Sequence, residues 1–209
     1  MNAFHPPAAT RRACLRAGLA LCAGVGALAL AACVPDKPAF RGIDITGAEY
    51  ARDFSLPDFD GRTRSVGDFK GKAVVVFFGF TQCPDVCPTA MNDLAQARQQ
   101  LGKDGERVQG VFITLDPERD TPEVLKAYVT NFAPDFLALR GDDAQTAATA
   151  KAFKVFYKKV EGKTPSSYTL DHSAGSFVFD PQGRIRLYTR HGAGPQALAD
   201  DLKLVLVSR

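Results

Sequence analysis

Histidine is scarce in this chain, with three in 209 residues, and cysteine is sparse, with five. No stretch after residue 32 approaches the roughly 18 to 20 apolar residues that span a bilayer, so the body of the chain holds no membrane-spanning helix. There is no internal repeat or low-complexity segment, which sets aside solenoids and arrays. A basic block is also missing. Of the 26 basic residues, Arg11, Arg12 and Arg16 fall within residues 1–32, which contain no acidic residue, so 23 basic and 23 acidic residues remain beyond them. An electrically balanced domain gives no electrostatic footprint for nucleic acid, and no nucleic-acid partner is expected. An apolar content of 45% with 23% charged residues is ordinary globular usage, and the length suits one domain plus an N-terminal extra.

That extra reads as an address. Three arginines precede an apolar, small-residue run from Ala17 to Ala32, the parts of a secretory signal peptide. The run ends in Leu30-Ala31-Ala32-Cys33, which resembles a bacterial lipobox. The expectation is cleavage before Cys33, lipidation of Cys33, and a domain exported and lipid-anchored to a bacterial membrane, facing the periplasm or cell exterior. A transmembrane anchor is the alternative, but the run is short and rich in Ala and Gly. Thr10-Arg11-Arg12-Ala13-Cys14-Leu15-Arg16 resembles a twin-arginine export signal, although Cys14 stands where a large apolar residue is usual. An ordinary signal with adjacent arginines explains it equally. The expected organisation is a signal peptide over 1–32, a membrane-proximal spacer over 33–50 with Pro35 and Pro38, and a domain over 51–209.

Processing leaves Cys83 and Cys87 as the only free thiols, since Cys14 and Cys22 leave with the signal and Cys33 carries lipid. One close pair is not a disulfide scaffold, so the pair points to chemistry. It lies in a patterned region. Asp60-Gly61 separates short strand-like pieces and predicts an N-terminal β-hairpin. Ala73–Phe80 is a continuous apolar run, as for a strand buried on both faces, and it leads into Thr81-Gln82-Cys83-Pro84-Asp85-Val86-Cys87-Pro88. Met91, Leu94 and Leu101 then recur at helical spacing, with Pro88 in the first turn. A second buried strand is predicted over 108–115, a helix after Thr121 and Pro122, and another over about 143–153. Strands over 155–160, 173–180 and 184–189 follow, and a helix over 195–205 closes the chain. Strand, reactive loop, helix and strand at the start, with a terminal hairpin and helix, describe an α/β thioredoxin-like fold with insertions.

At a helix N-terminus, unpaired N–H groups favour negative charge, so both thiols are expected to ionise more easily than free cysteine. Thiolate either binds a metal or attacks a disulfide, and the three-residue spacer differs from the two of a thioredoxin redox pair. His172 follows a polar loop and precedes a buried strand, which allows a place at the rim of the reactive end. Alone, such a histidine is more often a hydrogen-bonded loop or core residue. Two thiolates with one imidazole make a soft three-donor set that suits Cu(I) and can hold Cu(II), whereas structural zinc wants a fourth protein ligand. Asp116, Arg119 and Asp120 read as a helix start whose charges complement the dipole, and His191, in a glycine-rich stretch, as a surface histidine.

The segment Phe78-Gly79-Phe80-Thr81-Gln82-Cys83-Pro84-Asp85-Val86-Cys87-Pro88-Thr89 resembles the Sco/SenC family of copper-binding assembly proteins for cytochrome c oxidase. Gly42–Ala48, Leu115–Pro122 and Asp171-His172-Ser173 share the resemblance, which runs from about residue 40 to the end. It implies a thioredoxin-like fold and copper held by Cys83, Cys87 and His172. It further implies delivery to the copper-bearing oxidase subunit that holds the binuclear centre, with other copper chaperones as further partners. A second function stays open, a thiol–disulfide oxidoreductase in which Cys83 and Cys87 cycle through a disulfide and reduce that subunit's cysteines. A peroxidase is disfavoured: Val86-Cys87-Pro88-Thr89 is superficially peroxiredoxin-like, but Pro84 stands where that chemistry needs threonine.

Overall fold

A computed structural model of the chain describes residues 39–208, apart from 165 and 166. The expected signal peptide and Cys33 lie outside the described residues. The two longest apolar runs form the centre of a six-stranded sheet. Strand β4 (Ala73–Gly79) and strand β5 (Val108–Thr114) lie parallel, from Ala73 opposite Val108 to Gly79 opposite Thr114, and all fourteen residues are buried. Between them runs helix α1 (Val86–Gln100), which makes a βαβ unit. Parallel β6 (Leu137–Leu139) extends the sheet beyond β5. On the other side β9 (Ser176–Phe179) pairs antiparallel with β4, and β10 (Ile185–Thr189) with β9. Strand β1 (Ile43–Asp44) closes that edge, for an order β1-β10-β9-β4-β5-β6.

Alternate residues of β4 face opposite sides of the sheet. Phe78 meets Phe153 on one side, whereas Phe77 and Gly79 face the side on which Cys87 of α1 lies. Helix α1 packs there against α4 (Gly194–Val207). Helix α2 (Pro122–Thr130) begins as expected with Thr121 as its cap and Pro122 in its first turn, and α3 is Asp143–Ala152.

The expected N-terminal hairpin is present as β2 (Leu56–Pro57) and β3 (Thr63–Arg64). Asp58 holds its turn by accepting from the amides of Asp60 and Arg62 and from Arg64 Nε, and Gly61 takes the left-handed φ of +81° that the turn requires. Strands β7 (Tyr157–Val160) and β8 (Thr169–His172) form a separate antiparallel pair. The mixed sheet with helices on its faces is the thioredoxin-like α/β fold expected.

Part of the stretch expected as spacer belongs to the folded unit. Residues 39–50 join the compact unit of residues 39–209, which has a hydrophobic core of its own and so the makings of an independently folding domain. Beyond β1, the buried Asp201 carboxylate on α4 accepts from the amides of Arg41 (2.7 Å) and Gly42 (2.8 Å). Two-residue strands and backbone amides bound by a distant side chain leave no periodic trace in the sequence. Among the described residues, no helix is long and apolar enough to cross a membrane.

Candidate metal centre

The end of β4 and the start of α1 bring Cys83 and Cys87 to one pole of the sheet, and the end of β8 brings His172 there from 85 residues further on. The two sulfurs and a ring nitrogen all lie within 4.8 Å of one another, and among the described residues no fourth His, Cys, Asp or Glu joins the group. Cys87 Sγ is 3.5 Å from His172 Nε2. The amide of Cys87 donates to Cys83 Sγ at 3.4 Å, so a helix-start N–H serves the first sulfur. Both cysteines are free thiols, Cys83 half-buried and Cys87 fully buried.

The imidazole is oriented by three contacts. Nδ1 lies 2.9 Å from the Ser173 carbonyl oxygen, an acceptor only, so Nδ1 carries the proton and the Nε2 lone pair faces Cys87. The edges of Phe77 and Phe80 flank the ring. Burial depresses the His172 pKa, against the opposing influence of the Ser173 hydrogen bond and the Asp171 charge, and this favours the neutral, ligating form.

One expectation fails at Cys87. Burial, reinforced by the neighbouring Cys83, pushes its thiol well above the ordinary cysteine range in the metal-free protein. The helix N-terminus does not lower it, because desolvation in an apolar surround outweighs the dipole. The space Cys87 occupies depends on Gly79, where a Cβ would stand 2.7 Å from Cys87 Sγ and 2.9 Å from the Phe77 ring.

The stretch 116–120 is also more than a helix start. Asp120 is fully buried and accepts from the Thr81 hydroxyl (2.6 Å), the Thr81 amide (3.1 Å) and the Thr114 hydroxyl (2.6 Å), which ties the loop before Cys83 to the end of β5. Burial raises its pKa, although these hydrogen bonds oppose the rise. Arg119 pairs with Asp116, donates to Gln82 Oε1 and the Tyr168 carbonyl, and lies 3.5 Å over the Tyr168 ring. It thereby straps the cysteine loop to the residues leading into β8. The sequence shows only the helix start, because the partners of this cluster come from distant parts of the chain, Thr81, Thr114 and Tyr168. His191 is exposed, as expected, and stands apart from the three donors.

The profile of the SCO1/SenC family matches residues 44–206, a span that contains all three donors. The chain belongs to the SCO1/SenC family. Among its SCO1/SenC relatives, a SCO2-like protein of Rickettsia felis is 36% identical over 190 residues, covering 88% of this chain and 93% of that protein. The structure of Bradyrhizobium japonicum ScoI with copper bound is similar at 38% identity and a TM-score of 0.66, covering 73% of this chain and 97% of that one. BsSco, described as a member of the Sco family of cytochrome c oxidase assembly proteins, shares the fold at 22% identity and a TM-score of 0.62, covering 81% of this chain and all of that one.

Proposed function

We propose that this chain is a copper metallochaperone that carries one copper ion on Cys83, Cys87 and His172 and hands it to cysteine ligands of the copper-bearing subunit of cytochrome c oxidase. The observation that carries the reading is the convergence of two sulfurs and a correctly protonated imidazole within 4.8 Å. Soft sulfur with one imidazole suits Cu(I), and with no fourth protein donor among the described residues a coordination position is open to an incoming thiolate. The half-buried Cys83 is the natural point of exchange, with Cys87 and His172 holding from behind. The copper-bound ScoI relative and the oxidase-assembly role of the Sco family support this reading. Export and a lipid anchor at Cys33 would hold the unit at the outer face of a bacterial membrane, within reach of a membrane-bound oxidase.

Thiol reduction of the same subunit is the second reading, favoured by the nearness of the two sulfurs. Copper titration of the reduced unit 39–209 separates the two. One copper per chain is expected, falling at least a hundredfold in affinity in His172→Ala and Cys83→Ser. A wild type that holds no stable copper but cycles readily through a Cys83–Cys87 disulfide would replace delivery with thiol reduction.

A further inference from the structure

Beside the three donors lies a groove of about 230 Å³ between the cysteine loop and β8. Phe80, Cys83, Pro84, Asp85 and Val86 form one wall, and Thr169 to His172 the other. It is smaller than the ~300–1,000 Å³ usual for small-molecule sites. Strand β8 pairs only with β7 among the described residues, so its other edge is unpaired.

The register shows what that edge offers. The amide of Ser173 donates to the Phe156 carbonyl at 2.9 Å, which makes that opposed pair a hydrogen-bonded one. Antiparallel pairs alternate, so Lys158–Asp171 and Val160–Thr169 share that class, and Tyr157–His172 and Lys159–Leu170 do not. The backbone N–H and C=O groups of Leu170 and His172 therefore point away from β7, on the edge that borders the groove. Two carboxylates, Asp85 and Asp171, line the groove and no lysine or arginine does.

We infer that this edge takes the receiving segment as an added strand: an extended, cysteine-bearing stretch of the partner with a basic residue beside the cysteine. Backbone hydrogen bonds to Leu170 and His172 hold it, the acidic lining selects its charge, and its thiol comes to lie beside Cys83. The inference rests on the copper-transfer reading for the identity of the occupant, but the edge and its alternation stand apart from copper.

The test uses the reduced, copper-free unit 39–209 and an eight-residue peptide with one cysteine flanked by lysines, followed by amide NMR. The Leu170 and His172 amides are expected to shift and gain exchange protection, while the Asp171 amide, already engaged with β7, changes little. Two N-methylated peptides, blocked at opposite alternate positions, are then compared. One is expected to bind at least tenfold more weakly and the other near normally, and glutamate-flanked peptide at least tenfold more weakly than lysine-flanked. Equal binding of both methylated peptides, no peptide binding, or equal response to glutathione alone would overturn the added strand. Peptide docking as expected in a protein that fails the copper titration would retain the groove and remove the copper reading.

Discussion

Two cysteines four residues apart read as equals in the sequence, yet Cys87 is fully buried and Cys83 only half so. The spacing and the helix start were legible because they are local. The burial was not, because it depends on the room left by Gly79 of β4 and on His172 brought beside Cys87 by β8. Gly79→Ala tests this: a methyl group 2.7 Å from Cys87 Sγ overpacks the pole and is expected to cost about 1–3 kcal/mol in denaturant unfolding, with weakened copper binding. Restored affinity in that variant is not expected at any pH. The depressed pKa of His172 makes a second residue-scale prediction. Below about 6.5 the unfolded chain takes up a proton at this side chain that the folded protein does not. Stability of the metal-free protein therefore falls as pH drops through that value, until His172 itself protonates in the folded state. Unfolding curves between pH 8 and 5 should show this slope in wild type, and His172→Phe should be flatter over the same window.

Elements built from long apolar runs, β4, α1 and β5, could be read from the sequence because burial on both faces or one helical face leaves a periodic pattern. Strands β1 and β6, two and three residues long, could not, since such short edges exist through their neighbours. Strand β7 was expected over 155–160, but β8 was not: the sequence puts His172 between a polar loop and a buried strand, and the short, lysine-paired β8 leaves little periodic pattern. The same limit hid the role of Asp120. Removing its carboxylate in Asp120→Ala strands the Thr81 amide and two hydroxyls, and is expected to cost about 2–4 kcal/mol and to loosen the cysteine loop. Thr121→Ala, which removes the neighbouring α2 cap, should cost about 1 kcal/mol and leave copper affinity unchanged. Comparing the two by thermal unfolding and copper titration separates loop support from general stability.

At the scale of the whole molecule, the compact unit begins at Ala39, inside the stretch that composition reads as spacer. The reason is the Asp201 carboxylate, which collects the Arg41 and Gly42 amides and turns apparent spacer into sheet edge. Asp201→Ala is expected to cost about 2–3 kcal/mol, with fast hydrogen exchange at Arg41 and Gly42 and no change at the donors' pole. Exchange that stays slow at both amides would show that β1 alone holds the segment. Under the proposed anchor, this clasp would also limit how far the domain can roam. If the proposed lipid sits on Cys33, eight backbone steps separate it from Arg41, a reach of at most about 28 Å, whereas release to residue 50 would allow about 60 Å. With the proposed lipid at Cys33, the same clasp would set how close to the lipid surface copper changes hands.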